Sequence, residues 1–363
     1  MEQRVLRHLW TEGPASRSDL AERYRLRRND VGRLASDLIE RGLIAEGRPT
    51  ALGPGRPRVP LRLNAETGRV LGVMLEPGIA SAGSLDLLGR PIGTPRTDRA
   101  SQPERLIEAA ASLVREAAHS GPHRIGLSVT GLAAHGEHRL LQSSLTPGGH
   151  AVSLEPIFHA AGDIPVVMQN DMHALAAQWL LARRIGEHED VLVVLLRDAA
   201  VGAAMIIDGR PNRGCVLGGN EIGHTRLPVD TDRCFCGSRG CLERIFSSAF
   251  LRRLDPGAND LAPRIAAFRS ADPPLQQIIE HVATALSNAV NFVRPARLVL
   301  VGPTMRHAPF ADALTRRIRE ATLDALVDHL RVDRWDESES ENTERAGWLA
   351  LADLYRRGWN HDE

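Results

Sequence analysis

The sequence GGNEIGHTRLPVDTDRCFCGSRGCLE, at residues 218–243, contains three of the four cysteines of this 363-residue chain. The cysteines follow the spacing Cys234-x-Cys236-x4-Cys241, and His224 lies upstream of them. Three thiolates and one imidazole form a ligand set that a closed structural zinc site prefers. Two glycines inside the loop allow the tight turn that brings Cys236 and Cys241 to one ion. The stretch therefore predicts a zinc-binding loop; the alternatives are an exposed loop that carries thiols, or a disulfide of an oxidising compartment.

The same stretch resembles the signature of the ROK family, which is named for repressors, open reading frames and kinases. The resemblance is carried by E-I-G-H at residues 221–224 and by C-x-C-G-x-x-G-C-L-E at residues 234–243. It implies a segment that holds a structural zinc and also faces a sugar pocket. The zinc ligands implied are His224, Cys234, Cys236 and Cys241.

Composition separates a basic N-terminal segment from an acidic remainder. Residues 1–64 contain 13 Arg and 8 acidic residues, a net charge of +5, and the remaining 32 Arg and 37 acidic residues give −5. A basic head on an acidic body indicates that the head binds a polyanion. No apolar run is long enough for a membrane span, and the first residues, MEQRVLRHLW, have no signal-peptide core. We therefore expect a cytoplasmic protein of two or three domains with no membrane partner.

Residues 1–47 predict three helices in the pattern of a helix-turn-helix domain. Apolar residues recur at helical spacing near positions 5–9, 20–24 and 31–39, and a short turn at 25–27 precedes the third helix. The polar start of that helix would enter the major groove of DNA, where arginine contacts guanine or phosphate and asparagine pairs with adenine. The residues predicted to contact DNA from this helix are Arg27, Arg28, Asn29 and Arg33. The alternative is a small helical bundle with solvated arginines.

Residues 46–63, EGRPTALGPGRPRVPLRL, are rich in glycine, proline and arginine. Two short strands around their centre would form a wing, from which Arg48, Arg56 and Arg58 would contact phosphate or the minor groove. The alternative is a stiff linker. The helices and this segment together resemble the winged helix of ROK repressors, including their G-R-P motif at residues 55–57. We therefore assign residues 1–63 to a winged helix-turn-helix DNA-binding domain and residues 64–363 to a ROK domain.

From residue 69 onward, strands alternate with helices, which is typical of an α/β fold. The main predicted strands lie at 69–75, 80–87, 90–92, 124–129, 164–168, 191–196, 202–207 and 297–301. The main predicted helices lie at 103–119, 171–179, 275–293, 310–326 and 343–355. The ROK resemblance implies two ribonuclease H-like lobes, as in actin and hexokinases, with the ligand in the cleft between them.

Asn170 and Asp171 follow a predicted strand. Amide and carboxylate groups at a strand end can bind sugar hydroxyls, although both residue types also cap helices readily. In ROK kinases a strand that ends in Asn-Asp places the catalytic base over the sugar, and the family resemblance also places Glu221, His224 and Glu243 at the sugar. His224 would then bind zinc through one ring nitrogen and a sugar hydroxyl through the other.

The two loops that bind nucleotide phosphates in ROK kinases are altered in this sequence. The first, D-x-G-G-T-K in kinases, corresponds to Met74 followed by E-P-G-I at residues 76–79, which removes a magnesium ligand and adds a repulsive carboxylate. The second, G-T-G-I-G, begins here with Asp198. All 45 basic residues are Arg, so a P-loop lysine is also absent. The sequence predicts no kinase activity, because Asp171 would be a base without a phosphoryl donor.

Together these patterns predict a sugar-responsive transcriptional regulator of the ROK type, in the first place a repressor of carbohydrate-metabolism genes that a sugar releases from DNA. Its partners would be operator DNA, a sugar effector and a second copy of the chain, and its cofactor would be zinc. The alternative from a different class is an ATP-dependent sugar kinase with an appended DNA-binding head. A third interpretation is a DNA-binding protein whose sugar pocket is vestigial.

Overall fold

The computed structural model describes residues 1–49, 58–134, 137–143, 145, 151–182, 189–212, 220–336 and 342–355. The chain divides into two compact units: the first contains residues 1–184 and 342–363, and the second contains residues 185–341. Each unit has its own five-stranded sheet. Within the described residues, no helix combines the length and the apolar character that a membrane crossing requires.

The N-terminal segment of the first unit folds into three helices and a three-stranded antiparallel sheet. The helices are α1 (Glu2–Thr11), α2 (Arg17–Arg23) and α3 (Arg28–Glu40). The strands are β1 (Ala15–Ser16), β2 (Ile44–Glu46) and β3 (Pro60–Leu63), in the order β1-β3-β2. Ser16 begins α2 in a capping box with Asp19. The three predicted helices are present, and β2 and β3 flank residues 50–57, which lie outside the described residues.

The main sheet of the first unit has the order β11-β7-β4-β5-β6, and a small second sheet has the order β10-β9-β8. The strands are β4 (Arg69–Glu76), β5 (Ile79–Asp86), β6 (Pro91–Arg99), β7 (Ile125–Val129), β8 (Leu132–Ala134), β9 (Arg139–Gln142), β10 (Val152–Ser153) and β11 (Val166–Asn170). The helices are α4 (Pro103–Ala118), α5 (Glu155–Ala161) and α6 (Asp171–Ala182). Because β4, β7 and β11 are parallel, their carboxyl ends meet at one edge of the sheet.

The sheet of the second unit has the order β14-β13-β12-β15-β16, in which β12, β15 and β16 are parallel. The strands are β12 (Val191–Arg197), β13 (Ala200–Ile207), β14 (Arg210–Pro211), β15 (Arg297–Val301) and β16 (Arg331–Trp335). The helices are α7 (Leu242–Ile245), α8 (Ser248–Leu254), α9 (Leu261–Ala267), α10 (Pro273–Val293), α11 (Ala308–Ala321) and α12 (Asp324–Val327). Apolar side chains of α10 and α11 share one buried cluster with alternate residues of β12 and β15.

The chain returns to the first unit as α13 (Asn342–Tyr355), which packs on β4, β7 and α6. The face of the sheet towards α13 carries Gly72 and Gly126. A β-carbon on Gly126 would collide with the carbonyl of Ala346, and one on Gly72 would collide with the backbone nitrogen of Gly347. The helix backbone therefore lies directly on the two strands, which larger side chains would prevent.

Several elements differ from the sequence-based prediction, which did not include strands β1, β8, β9, β10 and β14 or helix α5. The predicted helix at 310–326 is divided into α11 and α12, because Thr322 and Leu323 have extended ψ angles of 147° and 129°. Strand β16 was not predicted, since its sequence RVDRW mixes charged and apolar residues at the edge of a sheet. Strand β6 continues to Arg99, seven residues beyond the predicted end at 92. The remaining predicted strands and helices named above are present within a few residues of their expected bounds.

Candidate metal centre and ligand-binding residues

The four predicted metal ligands meet in the second unit. His224 ends a 3-10 turn at Ile222–His224, and Cys241 directly precedes α7. Cys234 and Cys236 lie on the loop between them. The backbone nitrogen of Gly240 donates to the hydroxyl of Thr231 at 2.8 Å, which ties the two sides of that loop together. The short turn and the loop thus bring a histidine and three cysteines to one point.

The spacing of the ligand atoms suits a tetrahedral ion. The four ligand atoms of His224, Cys234, Cys236 and Cys241 all lie within 4.8 Å of one another. Cys234 Sγ lies 3.6 Å from His224 Nδ1, and Cys236 Sγ lies 3.6 Å from Cys241 Sγ. Tetrahedral zinc with ordinary bond lengths separates such pairs by about 3.6–3.8 Å. The residues can therefore hold a metal ion, and the ligand set is compatible with zinc.

The pKa values of Cys241 and His224 bear on metal binding. Burial and the neighbouring Cys236 thiol raise the pKa of Cys241 to about 12, so a thiolate at this position needs a cation beside it. Burial, with the charge of Arg244, lowers the pKa of His224. The imidazole is therefore held in the neutral form that binds metals.

Two carboxylates accompany the cluster. Glu243 Oε1 lies 4.0 Å from Cys234 Sγ. Burial raises the pKa of Glu243 to about 7, and the nearby charge of Glu221 adds to this effect. Because Nδ1 of His224 is the ring nitrogen that faces Cys234, Nε2 is the nitrogen left for a different partner. The second unit thus brings Glu221, His224 and Glu243 together, and their contact with a sugar stays a prediction of the family resemblance.

Asn170 and Asp171 lie where β11 passes into α6, in the first unit. Asn170 Oδ1 accepts hydrogen bonds from the backbone nitrogens of Met172 at 2.8 Å and His173 at 3.2 Å. The helix-capping interpretation of Asn170 is therefore correct, and its bonds use Oδ1 rather than the amide nitrogen. Asp171 Oδ1 accepts from the Met172 nitrogen at 2.9 Å. The hydroxyl of Thr130, at the end of β7, lies 3.4 Å from Asp171 Oδ2, a contact that the sequence did not predict.

The two segments predicted to correspond to kinase phosphate loops are part of the packed structure. In the first unit, Met74 is buried in β4, and Glu76 ends that strand before the turn at Pro77. In the second unit, Asp198 lies in the turn between β12 and β13. Its carboxylate accepts hydrogen bonds from the backbone nitrogen of Ser248, at 2.8 Å, and from the Ser248 hydroxyl. A negative side chain is thus fixed at the first turn of α8.

The residues predicted to contact DNA lie at the start of α3 and next to β3. Arg27, Arg28, Asn29 and Arg33 are all exposed. Arg33 pairs with Asp30 at 2.7 Å, and Arg58 pairs with Asp19 at 2.6 Å. Arg56, with the G-R-P motif, lies outside the described residues.

Known proteins share this architecture. The ROK family profile matches residues 90–357. The xylose repressor of Caldicellulosiruptor bescii is 26% identical over 354 residues, which cover 87% of this chain and 85% of the repressor. A ROK family transcriptional regulator, a homologue of the E. coli MLC protein, superposes with a TM-score of 0.79 at 22% identity, covering 98% of this chain and 96% of its own. The ROK hexokinase of Thermus thermophilus gives 0.63 at 23% identity, covering 79% of this chain and 99% of the hexokinase. The predicted α/β fold is confirmed, and the chain belongs to the ROK family.

Proposed function

We propose that this chain is a sugar-responsive transcriptional regulator, a repressor of carbohydrate-metabolism genes. The observation that carries the proposal is the arginine-rich helical head joined to a ROK domain. The superposition with the hexokinase includes 99% of the hexokinase but only 79% of this chain. The remainder of this chain therefore has no counterpart in that enzyme. The xylose repressor, in contrast, aligns with 87% of this chain.

The head has the order of elements that a winged helix requires. Helix α3 begins with exposed Arg28 and Asn29, and strands β2 and β3 follow it as the two sides of a wing. In our proposal α3 enters the major groove, and Arg58 contacts the DNA backbone after it leaves Asp19. A homodimer would present two copies of α3 to an operator with two-fold symmetry, in the cytoplasm.

The sugar would be bound by the polar residues that the family resemblance assigns to it. These residues are Asn170, Asp171, Glu221, His224 and Glu243. Their amide, carboxylate and imidazole groups can donate to and accept from sugar hydroxyls. The cap at Asn170 supports this role. Its two hydrogen bonds use Oδ1 and fix the side chain, so the side-chain amide nitrogen can donate to a sugar hydroxyl.

Zinc is the metal that we propose for the four-ligand cluster. A bound ion would neutralise the thiolates of a closed structural site and fix the orientation of the His224 ring. The Nε2 atom of His224 would then carry the ring hydrogen and donate a hydrogen bond to the oxygen of a sugar hydroxyl.

A sugar kinase is the second candidate, since Asp171 is retained and a ROK hexokinase shares the fold. Two features argue against it. Met74 is buried and cannot bind magnesium. Asp198 places a carboxylate where a phosphate would lie in the corresponding kinase loop, and like charges repel.

One experiment separates these functions. Full-length protein is titrated against its own upstream DNA in a gel-shift assay at fixed salt, with and without D-xylose, D-glucose or N-acetyl-D-glucosamine. We expect a sequence-specific complex that one class of sugar dissociates. A specific complex that no sugar changes would favour the vestigial pocket. Phosphorylation of any of these sugars with ATP would establish the kinase instead.

A further inference from the structure

The N-terminal head is attached to the rest of the first unit by an aromatic contact. Trp10 of α1 is buried, with 5% of its surface exposed. Its ring stacks on Tyr355 of α13, with centroids 5.3 Å apart and planes 25° apart. It also meets Trp348 edge-on at 5.9 Å. Such aromatic pairs contribute about 0.5–1.5 kcal/mol each beyond the burial of their area.

Polar contacts reinforce this attachment. Gln3 of α1 donates from Nε2 to the carbonyl oxygen of Asp353 at 3.3 Å. The Asp353 carboxylate, which is buried, forms an ion pair with Arg124 at the start of β7. Near the end of α3, the ring of His123 lies against Gly42. The head therefore contacts the ROK domain through α1 and through Gly42, just after the end of α3.

Helix α13 is itself fixed to the ROK domain. Its backbone at residues 346–347 lies directly on β4 and β7 through Gly72 and Gly126. Trp348 fills the space beside Gly89, where a β-carbon would collide with its ring. The buried hydroxyl of Tyr355 donates to the carbonyl oxygen of Leu87 at 2.5 Å. A displacement of these strands is thus transmitted to α13, because the packed helix has no space to slide independently.

The same helix runs along α6, which begins at Asp171. Strand β7, on which α13 lies, leads directly to Thr130, whose hydroxyl contacts Asp171. Helix α13 therefore contacts Trp10 of the head. It also contacts α6 and β7, the two elements that position Asp171.

We propose that α13 joins the DNA-binding head to the ligand-binding end of the first unit, so that the head moves with this unit rather than on a free tether. The Trp10–Tyr355 stack is the joint. In this arrangement a shift of α6 and β7 on sugar binding changes the position of α1, and with it the recognition helix α3. The coupling of α1 and α3 to sugar binding rests on the proposed function, whereas the attachment of the head through α13 does not.

The attachment is tested by amide hydrogen exchange on full-length Tyr355→Leu, which removes the stacked ring from the α13 side. Exchange of the α1 amides should rise roughly three- to tenfold, since a lost aromatic contact lowers the cost of local opening. Tyr355→Phe is the matched control, because it keeps the ring and loses only the hydroxyl. Trp10→Leu repeats the test from the head side. Unchanged α1 exchange in both leucine variants overturns the attachment.

The relay is tested by measuring the operator Kd of wild type and Tyr355→Leu with and without the sugar that releases the wild type. We expect the sugar to weaken operator binding in the wild type, and this ratio to fall towards one in the variant. The sugar Kd without DNA should stay within about twofold, because no sugar contact changes. A variant with faster α1 exchange and an undiminished ratio overturns the relay. A wild type that no sugar releases refutes the proposed function, while the exchange result still decides the attachment.

Discussion

The carboxylate of Asp198 accepts a hydrogen bond from the backbone nitrogen of Ser248 at 2.8 Å and another from the Ser248 hydroxyl. It therefore satisfies the first backbone donor of α8, next to the N-cap residue Ser247, although it is 50 positions away in the sequence. The family resemblance predicts that the loop of Asp198 corresponds to a phosphate-binding loop of ROK kinases, and the amide at this helix start already has a carboxylate partner. A nucleotide phosphate would have to displace it and overcome its charge.

Loss of Asp198 should destabilise the protein without creating a kinase. Asp198→Gly removes both hydrogen bonds, and we expect the free energy of unfolding to fall by about 0.5–2 kcal/mol, the range for a lost cap. Asp198→Asn, which keeps an acceptor, should lose less. Urea unfolding measures both variants. Coupled-enzyme assays should detect no hexose phosphorylation by the wild type; turnover that disappears in Asp171→Ala would show that the chain is a kinase.

Loss of one cysteine should remove the metal. Cys236→Ser should reduce zinc from one ion per chain to well below half occupancy, because a closed site needs all four ligands. The loop should also become sensitive to protease, and sugar binding should weaken because Glu243 lies beside the cluster. Elemental analysis gives the stoichiometry, with Cys215→Ser as the control. Wild-type protein purified without chelators and free of zinc would contradict the assignment.

Substitution at the start of α3 should weaken DNA binding. If Arg28 contacts a base, Arg28→Ala should lower the discrimination between operator and other DNA by about 1–3 kcal/mol. If Arg28 contacts phosphate, the substitution should weaken binding to all DNA sequences equally. Fluorescence anisotropy with operator and scrambled DNA distinguishes the two. Arg105→Ala, an exposed arginine on α4, is the control. The recognition helix would be wrongly placed if Arg28→Ala and Arg33→Ala both bound DNA like the wild type.

Acidic pH should lower the free energy of unfolding through His123, which lies where the head meets the ROK domain. Burial, with the charges of Arg41, Arg124 and Arg69, lowers the pKa of His123 below its usual value near 6.5. The unfolded chain therefore takes up this proton before the folded one does, so the free energy of unfolding should fall as pH drops below about 6.5. His123→Gln should reduce that fall, whereas exposed His159→Gln should not. Urea titrations between pH 7.5 and 5.5 test this, and identical pH profiles for wild type and His123→Gln would contradict it.

Sugar and operator should oppose each other reciprocally. If a sugar lowers operator affinity by some factor, operator DNA must lower sugar affinity by the same factor. Isothermal titration of the releasing sugar into free protein and into the protein–operator complex measures both. Equal sugar Kd values in the two titrations would show that the sites are uncoupled.

Local signals were sufficient for much of the fold. Strand β12, VLVVLLR, and strand β15, RLVLV, are apolar and buried apart from one terminal arginine each, so a central position in a sheet was apparent from their composition. The metal cluster was equally accessible, since its four ligands lie within 18 consecutive residues, 224–241. Short-range spacing is enough when the chemistry is local.

Contacts between distant segments left no such signal. Trp10 and Tyr355 are separated by almost the whole chain, and each alone is only an apolar residue on a helix face. Asp198 could be recognised as an acidic replacement, but its bond to Ser248 required the turn between β12 and β13 to meet the start of α8. Thr130 and Asp171 meet because β7 and β11 are adjacent and parallel, a pairing that periodicity does not specify.

Because α13 covers the sheet of the first unit, this unit is made from both ends of the chain. During synthesis α1 leaves the ribosome before α13, so the stack of Trp10 on Tyr355 and its edge contact with Trp348 form only after α13 has followed. The intervening second unit can fold while the first one waits, since domains fold as they emerge. A nascent chain that ends before α13 would thus carry α1 and α3 without the helix on which α1 packs, so the head reaches its final position only after α13 is made.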